Sequence, residues 1–206
     1  MWGLIYLLLI IYAVLLLILG TNDGGVRGFV ATALAAAALF TSAAWTPVFS
    51  LQSSAGFAVS AGILVLTALL AITAAILSRP FLFENQNGVF TLGGVAFSIF
   101  SGWVTVAAGL NVAIATRAFD FGLTGAARRD SKDEQTLTPL ILSAVIAAIS
   151  IVFGNPIFAT PALVALLATK AALGQWRIYV SLIIILVAFG ASIGLLLVYR
   201  ESGPWF

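Results

Sequence analysis

An all-α fold, a polytopic transmembrane helical bundle of about seven spans, is what this sequence predicts. Two observations carry that reading. Of the 206 residues, 62% are hydrophobic and 8% charged, and mean hydropathy is +1.18. Such a chain cannot turn its apolar surface to water, so lipid must be its solvent. The second observation is the arrangement of the apolar residues, in long runs parted by short turns rich in Gly, Asn and Pro. The net charge of +2 and pI near 9.3 come from few residues. No basic cluster is long enough to bind nucleic acid. Cysteine and histidine are absent and the one Met is residue 1. Disulfides, zinc sites and thiol chemistry are therefore excluded, and the usual haem ligands are missing, so no metal site is expected.

The first span, Trp2 to Gly20, is almost purely apolar and of bilayer length. It lacks the basic n-region and cleavage site of a secretory signal, so it reads as a mature first helix. Trp2 and Tyr6 share one face of it at the membrane boundary, where an interfacial anchor and a site residue look alike. Thr21 to Arg27 is a Gly/Asn/Asp turn. The second span, about Gly28 to Phe49, begins Ala-rich, which suits close helix approach. It ends in Ser42-Ala43-Ala44-Trp45-Thr46-Pro47-Val48-Phe49. Pro47 removes a backbone donor and is expected to kink or end the helix. Trp45 and Phe49 share a face.

A third span runs from about Gly56 to Ser78, with Arg79 and Pro80 expected to stop it. The loop Phe81 to Gly88 mixes apolar residues with Glu84, Asn85, Gln86 and Asn87, as an interfacial loop does. The fourth span, about Val89 to Thr116, holds the most informative stretch. At about 3.6 residues per turn, Trp103, Ala107 and Asn111 fall on one stripe. An amide in hydrocarbon costs several kcal/mol unless paired. Asn111 must therefore face protein or ligand. Helix-packing glue and a ligand-facing wall both satisfy that requirement.

Arg117 to Gln135 is the long polar segment, with basic and acidic residues in balance, and reads as a solvated loop. Thr138 and Pro139 look like an N-cap and first-turn Pro opening a fifth span to Phe153. Gly154-Asn155-Pro156 turns the chain into a shorter sixth span ending near Leu173, with Pro161 inside it and Lys170 snorkelling near its end. The seventh, Trp176 to Tyr199, carries Gly190 and Gly194 in the G-x-x-x-G spacing of helix packing or dimerisation. Arg117, Arg128, Arg129, Lys132, Lys170 and Arg177 would fall on the N-terminal side, and Arg27, Arg79 and Arg200 on the other. The positive-inside rule then puts the N-terminus inside and the C-terminus outside, unless the short sixth span is re-entrant.

Trp2-x-x-x-Tyr6, then Trp45-Thr46-Pro47-Val48-Phe49, then an apolar third span, then Trp103 with Ala107 and Asn111 come in order along the chain. Together they resemble the TspO/MBR family, the translocator or tryptophan-rich sensory proteins. That family's second helix carries W-x-x-x-Y. Its third carries N-x-x-W-x-P-x-F, with Ser42 here at the Asn position. Its fifth carries W-x-x-x-A-x-x-x-N. The resemblance covers roughly residues 1–117 and suggests a longer variant with extra C-terminal helices, lacking the family's first helix and the loop that helps lid the pocket. The expected organisation is a four-helix TspO-like membrane core at 1–117, a polar loop at 118–135 and a three-helix membrane extension at 136–206.

The resemblance implies a bundle cavity that binds planar apolar ligands, tetrapyrroles or sterols and other lipids, without catalysis. Its expected lining is Trp45, Phe49, Trp103, Asn111, Ala107 and Ser42, with Trp2 and Tyr6 at the rim and Pro47 as the shaping kink. Indoles and phenyl rings supply flat walls and an N–H donor, and an amide can orient a polar edge. A different class also fits: a structural accessory subunit of a large photosynthetic or respiratory membrane complex. Such a subunit would associate with other membrane subunits or its own copies. There a pigment's magnesium could be served by oxygen ligands in place of His. The sequence offers no nucleophile–base pair and no phosphate-cradling Gly loop, so an enzyme is not expected. A bacterial inner membrane, a thylakoid and a mitochondrial membrane all suit it.

Overall fold

The computed structural model describes residues 2–20, 24–83, 88–123, 131–173 and 176–202. Among them the chain forms α1 (Trp2–Leu19), α2 (Gly25–Phe49), α3 (Ser54–Phe83), α4 (Gly88–Leu123), α5 (Ser131–Val152), a 3-10 helix (Pro156–Ala159), α6 (Thr160–Leu173) and α7 (Trp176–Ser202), with no strand. The fold is the helical membrane bundle that the composition requires. The first four helices are each long and apolar enough to cross a bilayer. Ile141–Val152, Pro156–Leu167 and Tyr179–Leu195 are shorter apolar stretches. At about 1.5 Å per residue, the 14 residues of α6 span roughly 21 Å, less than the ~30 Å hydrocarbon layer.

Several helix ends depart from the sequence reading. Arg79 and Pro80 lie inside α3, which continues to Phe83. An interior Pro forfeits one backbone bond, here to Ile76, and an apolar Phe-Leu-Phe run follows it to keep the helix in lipid. The polar stretch 117–135 is largely helical, since α4 continues to Leu123 and α5 starts at Ser131. Thr138 and Pro139 therefore lie within α5. Ser131-Lys132-Asp133-Glu134 has capping-box spacing and is the earlier, stronger start signal. Pro161 falls in the first turn of α6, where its missing N–H costs nothing. Gly190 and Gly194 meet open space among the described residues and serve no packing there. The side chains of Arg117, Lys132, Lys170, Arg177 and Arg200, and all of 128–129, lie outside the described residues.

Small residues at alternating three- and four-residue steps build the α2–α3 seam. Gly28, Ala31, Ala35, Ala38 and Ser42 form the buried stripe of α2, and Leu64, Ala68 and Ala71 of α3 share a core with Ala31, Ala35 and Ala38 of that stripe. Such stripes let two backbones approach closely, which is what drives helix association where lipid is as apolar as Leu. One polar tie crosses the seam: Thr67 Oγ1 donates to Thr41 Oγ1 at 2.9 Å.

The centre of the molecule is α4. In the most apolar stretch of each helix, 72% of α4 residues are buried against 17% of α1 residues. One face of α4, through Phe97, Phe100, Val104 and Ala108, completes a core with α1, α2 and α3. Another, through Val106, joins a second core with Ile146, Phe158, Ala162, Leu182 and Ile185 of the C-terminal helices. Gly102 permits that second contact, because a Cβ there would run into the Phe158 carbonyl. On the other flank Gly93 seats the Tyr12 ring, 2.5 Å from where a Cβ would stand. Tyr12 in turn hydrogen-bonds Thr32 Oγ1 at 2.7 Å, tying α1 to α2. Trp2 lies beside Trp103, and Tyr12 beside Phe97 and Phe90, so α1 and α4 run antiparallel.

Candidate functional site

At the end of the bundle where α1 begins and α2 ends, four helices bring aromatic and polar groups together. Trp45 is in the last turn but one of α2, where the loss of a backbone donor at Pro47 precedes the end of the helix at Phe49. Its indole Nε1 donates to Asn111 Oδ1 of α4 at 3.1 Å. Asn111 is buried and its Nδ2 donates to the Ala107 carbonyl one turn back, at 3.0 Å. Ser60 of α3 donates to the Phe57 carbonyl at 2.9 Å and points the same proton toward Asn111 Oδ1 at 3.4 Å. The amide is thus held by three helices, as its cost in hydrocarbon demands.

Aromatic rings stand in two groups at this part of the bundle. Phe49 packs between Trp45 and Phe57, with centroids 5.4 and 5.3 Å away. Trp2 meets Trp103 edge-on at 6.1 Å and stacks on Tyr6 at 5.6 Å. Trp2, Trp45 and Trp103 are all partly buried against the first core rather than turned out to lipid. The Trp103 Nε1 is buried and, among the described residues, has no hydrogen-bond partner. It is a donor whose acceptor the described residues do not supply, an arrangement that costs about 1–3 kcal/mol if left unmet.

The expected residues sort cleanly. Trp45, Phe49 and Asn111 come together, Trp103 lies two turns before Asn111 on α4 against Trp2, and Ser42 is buried one turn before Trp45. Ala107 contributes its carbonyl rather than only its small size. Tyr6 is 47% exposed, as a rim residue is. Pro47 is exposed and touches the cluster only through the helix end it sets. Phe57 and Ser60 escaped the sequence reading; a Ser on the same helical face as a Phe, inside an otherwise apolar span, is the signal that could have found them. Two cavities also flank the C-terminal half. One is a cleft between α4, α5 and α6 that includes Leu110, Leu142 and Leu166. The other, a much smaller one, lies between α3, α5 and the 3-10 helix. Neither is walled by Trp45, Phe49, Trp103 or Asn111.

Four membrane-length helices and a buried indole–amide cluster define an integral membrane protein of the helical-bundle class. The family model described as TSPO-like protein matches residues 1–200, and the chain belongs to that family. The match runs past the aromatic motifs of α1–α4 and through the C-terminal helices. No curated protein and no solved structure matches the chain.

Proposed function

We propose that this protein binds a planar apolar ligand, a tetrapyrrole or a sterol-like lipid, at the aromatic cluster of α1–α4, and carries out no chemistry on it. The observation that carries the reading is the Trp103 N–H, unmatched among the described residues, two turns from Asn111 of the Trp45–Asn111 pair on the same stripe of α4. Packing alone would have no use for a second buried indole donor. A ligand lying against Trp45, Phe49 and Trp103 would bury flat apolar surface and bring an acceptor to Trp103. Trp2 and Tyr6 form the rim, and Ser42 and Ala107 lie close behind. Loop charges support an inner N-terminus and an outer C-terminus.

The test is saturable quenching of tryptophan fluorescence by protoporphyrin in the detergent-solubilised protein. Quenching that saturates in the native chain and is lost in Trp45→Ala and Trp103→Ala supports the reading. Equal quenching in all three, or none in the native chain, refutes it.

A second reading, an accessory subunit of a larger membrane assembly, has one observation in its favour. Leu7, Ile10, Leu17 and Ile18 of α1 all face outward. Lipid covers such a face as well as a partner does. Recovery of the chain only within a large assembly, without porphyrin quenching, would favour this alternative.

A further inference from the structure

The turn between α5 and α6 lies too deep to be a surface loop. Contacts along α4 fix its level. Leu142 of α5 packs on Gly109, Asn155 Nδ2 donates to Ser98 Oγ at 2.8 Å, and the Phe158 carbonyl sits on Gly102. Ala162 and Leu166 of α6 then climb back to the level of Val106 and Leu110, with which they share a cleft. The chain thus descends along α4 to Ser98 and returns. It stops about 15 Å short of the start of α4 at Gly88.

α1 supplies the ruler. Its 18 residues make about 27 Å, barely the ~30 Å of the hydrocarbon layer, so a bilayer that α1 crosses covers all of it. Trp2 lies beside Trp103, and Tyr12 beside Phe97 and Phe90. Ser98 falls between those levels, alongside the interior of α1. The turn hooked to it is therefore inside hydrocarbon.

The backbone of the turn is finished accordingly. The N–H groups of Phe153, Gly154 and Asn155 bond to the Ile149, Ile151 and Ser150 carbonyls at 3.1, 3.1 and 3.0 Å. Pro156 has no N–H. Those of Ile157 and Phe158 bond to Asn155 Oδ1 and to the Asn155 carbonyl, at 3.2 and 3.3 Å. Gly154, Asn155 and Pro156 are buried, and Gly154 reverses the chain at φ +54°. Irregular backbone survives at membrane depth only where its polar groups are met and protein shields them. A loop reaching water would need none of this.

We propose that α5 and α6 form a re-entrant hairpin, which enters and leaves the bilayer through the face where α4 ends and is held at depth by the Asn155–Ser98 hook. A full span cannot withdraw without dragging a polar loop through hydrocarbon. This hairpin can retreat toward its own face once the hook opens, which makes it the movable element of the C-terminal half. Neither terminus changes side, since two half-spans stand in place of two spans. The hairpin stands apart from the aromatic cluster and does not rest on ligand binding there.

The test uses the full chain in phosphatidylcholine vesicles, with a nitroxide on a single introduced cysteine, since the native sequence has none. Paramagnetic resonance then compares the label's accessibility to oxygen, which concentrates in hydrocarbon, with that to a water-soluble nickel chelate. Val152, 74% exposed beside the turn, is the reporter. Ile10 in the middle of α1 is the deep reference and Leu19 at its end the shallow one. In Val152→Cys oxygen should win over nickel, as in Ile10→Cys, while Leu19→Cys should show the reverse. A Val152→Cys label that follows Leu19→Cys overturns the proposal, because the turn would then stand at the far face. Ile151→Cys decides the matter in the same way should Val152→Cys fail to fold. Adding Ser98→Ala should move the Val152→Cys label toward the Leu19→Cys pattern, because the Asn155 amide is left unmatched in lipid. A label that does not move refutes the hook.

Discussion

The indole of Trp45 donates to the side-chain carbonyl of Asn111 at 3.1 Å, across 66 residues of sequence, and so fastens the end of α2 to α4. Double-mutant cycles on such membrane-buried pairs average about 0.6 kcal/mol and reach about 1.7. Trp45→Phe and Asn111→Leu, alone and together, should show a coupling in that range by thermal unfolding in detergent. A coupling of zero would mean that the pair is in contact without holding anything.

Trp103 offers the contrast. Its N–H has no partner among the described residues, so Trp103→Phe breaks no bond, whereas Trp45→Phe breaks one. Trp103→Phe should therefore be the milder change in the ligand-free protein, by about 1 kcal/mol. In the porphyrin titration the order should not favour it: loss of the donor should weaken binding. Paired unfolding and quenching curves on the two variants check both halves.

Gly102 and Gly190 are both helical glycines, yet the first faces the Phe158 carbonyl and the second faces open space. Gly102→Ala must push the 3-10 helix away from α4, at a cost of about 1–3 kcal/mol for an overpacked contact. Gly190→Ala should be neutral or slightly stabilising in the same melt, because Ala is the better helix former. Equal effects at the two sites would contradict the packing described for the second core.

Tyr12→Phe removes the hydroxyl that bonds Thr32 and leaves the ring on Gly93 and Phe97. The expected loss is about 0.5–1.5 kcal/mol, since the Thr32 hydroxyl still donates to the Gly28 carbonyl at 2.8 Å. Its location matters more than its size. α1 should loosen first, which hydrogen exchange of its amides would register before the rest of the bundle responds.

The long spans were legible because a run of some twenty apolar residues has no other stable home. Their ends were not, because Pro was weighed as a stop at position 80 and as a start at position 139, where the surrounding residues carry the helix through. The α2–α4 half of the site was legible for a physical reason: an indole and an amide are costly in lipid and must find each other. The α3 half was missed, since Phe57 and Ser60 resemble ordinary span residues until Asn111 is seen beside them. The cleft between α3, α5 and the 3-10 helix was beyond reach of the letters, because its walls are mostly Ile and Phe residues like many others in the chain.

Val106 and Ala108 are two residues apart, yet they belong to different cores. A helix gripped from both flanks by its own chain cannot tilt toward one without withdrawing from the other. Occupancy on the aromatic side would thus be transmitted as strain into the C-terminal helices, making α4 the balance beam on which the two halves are weighed against each other.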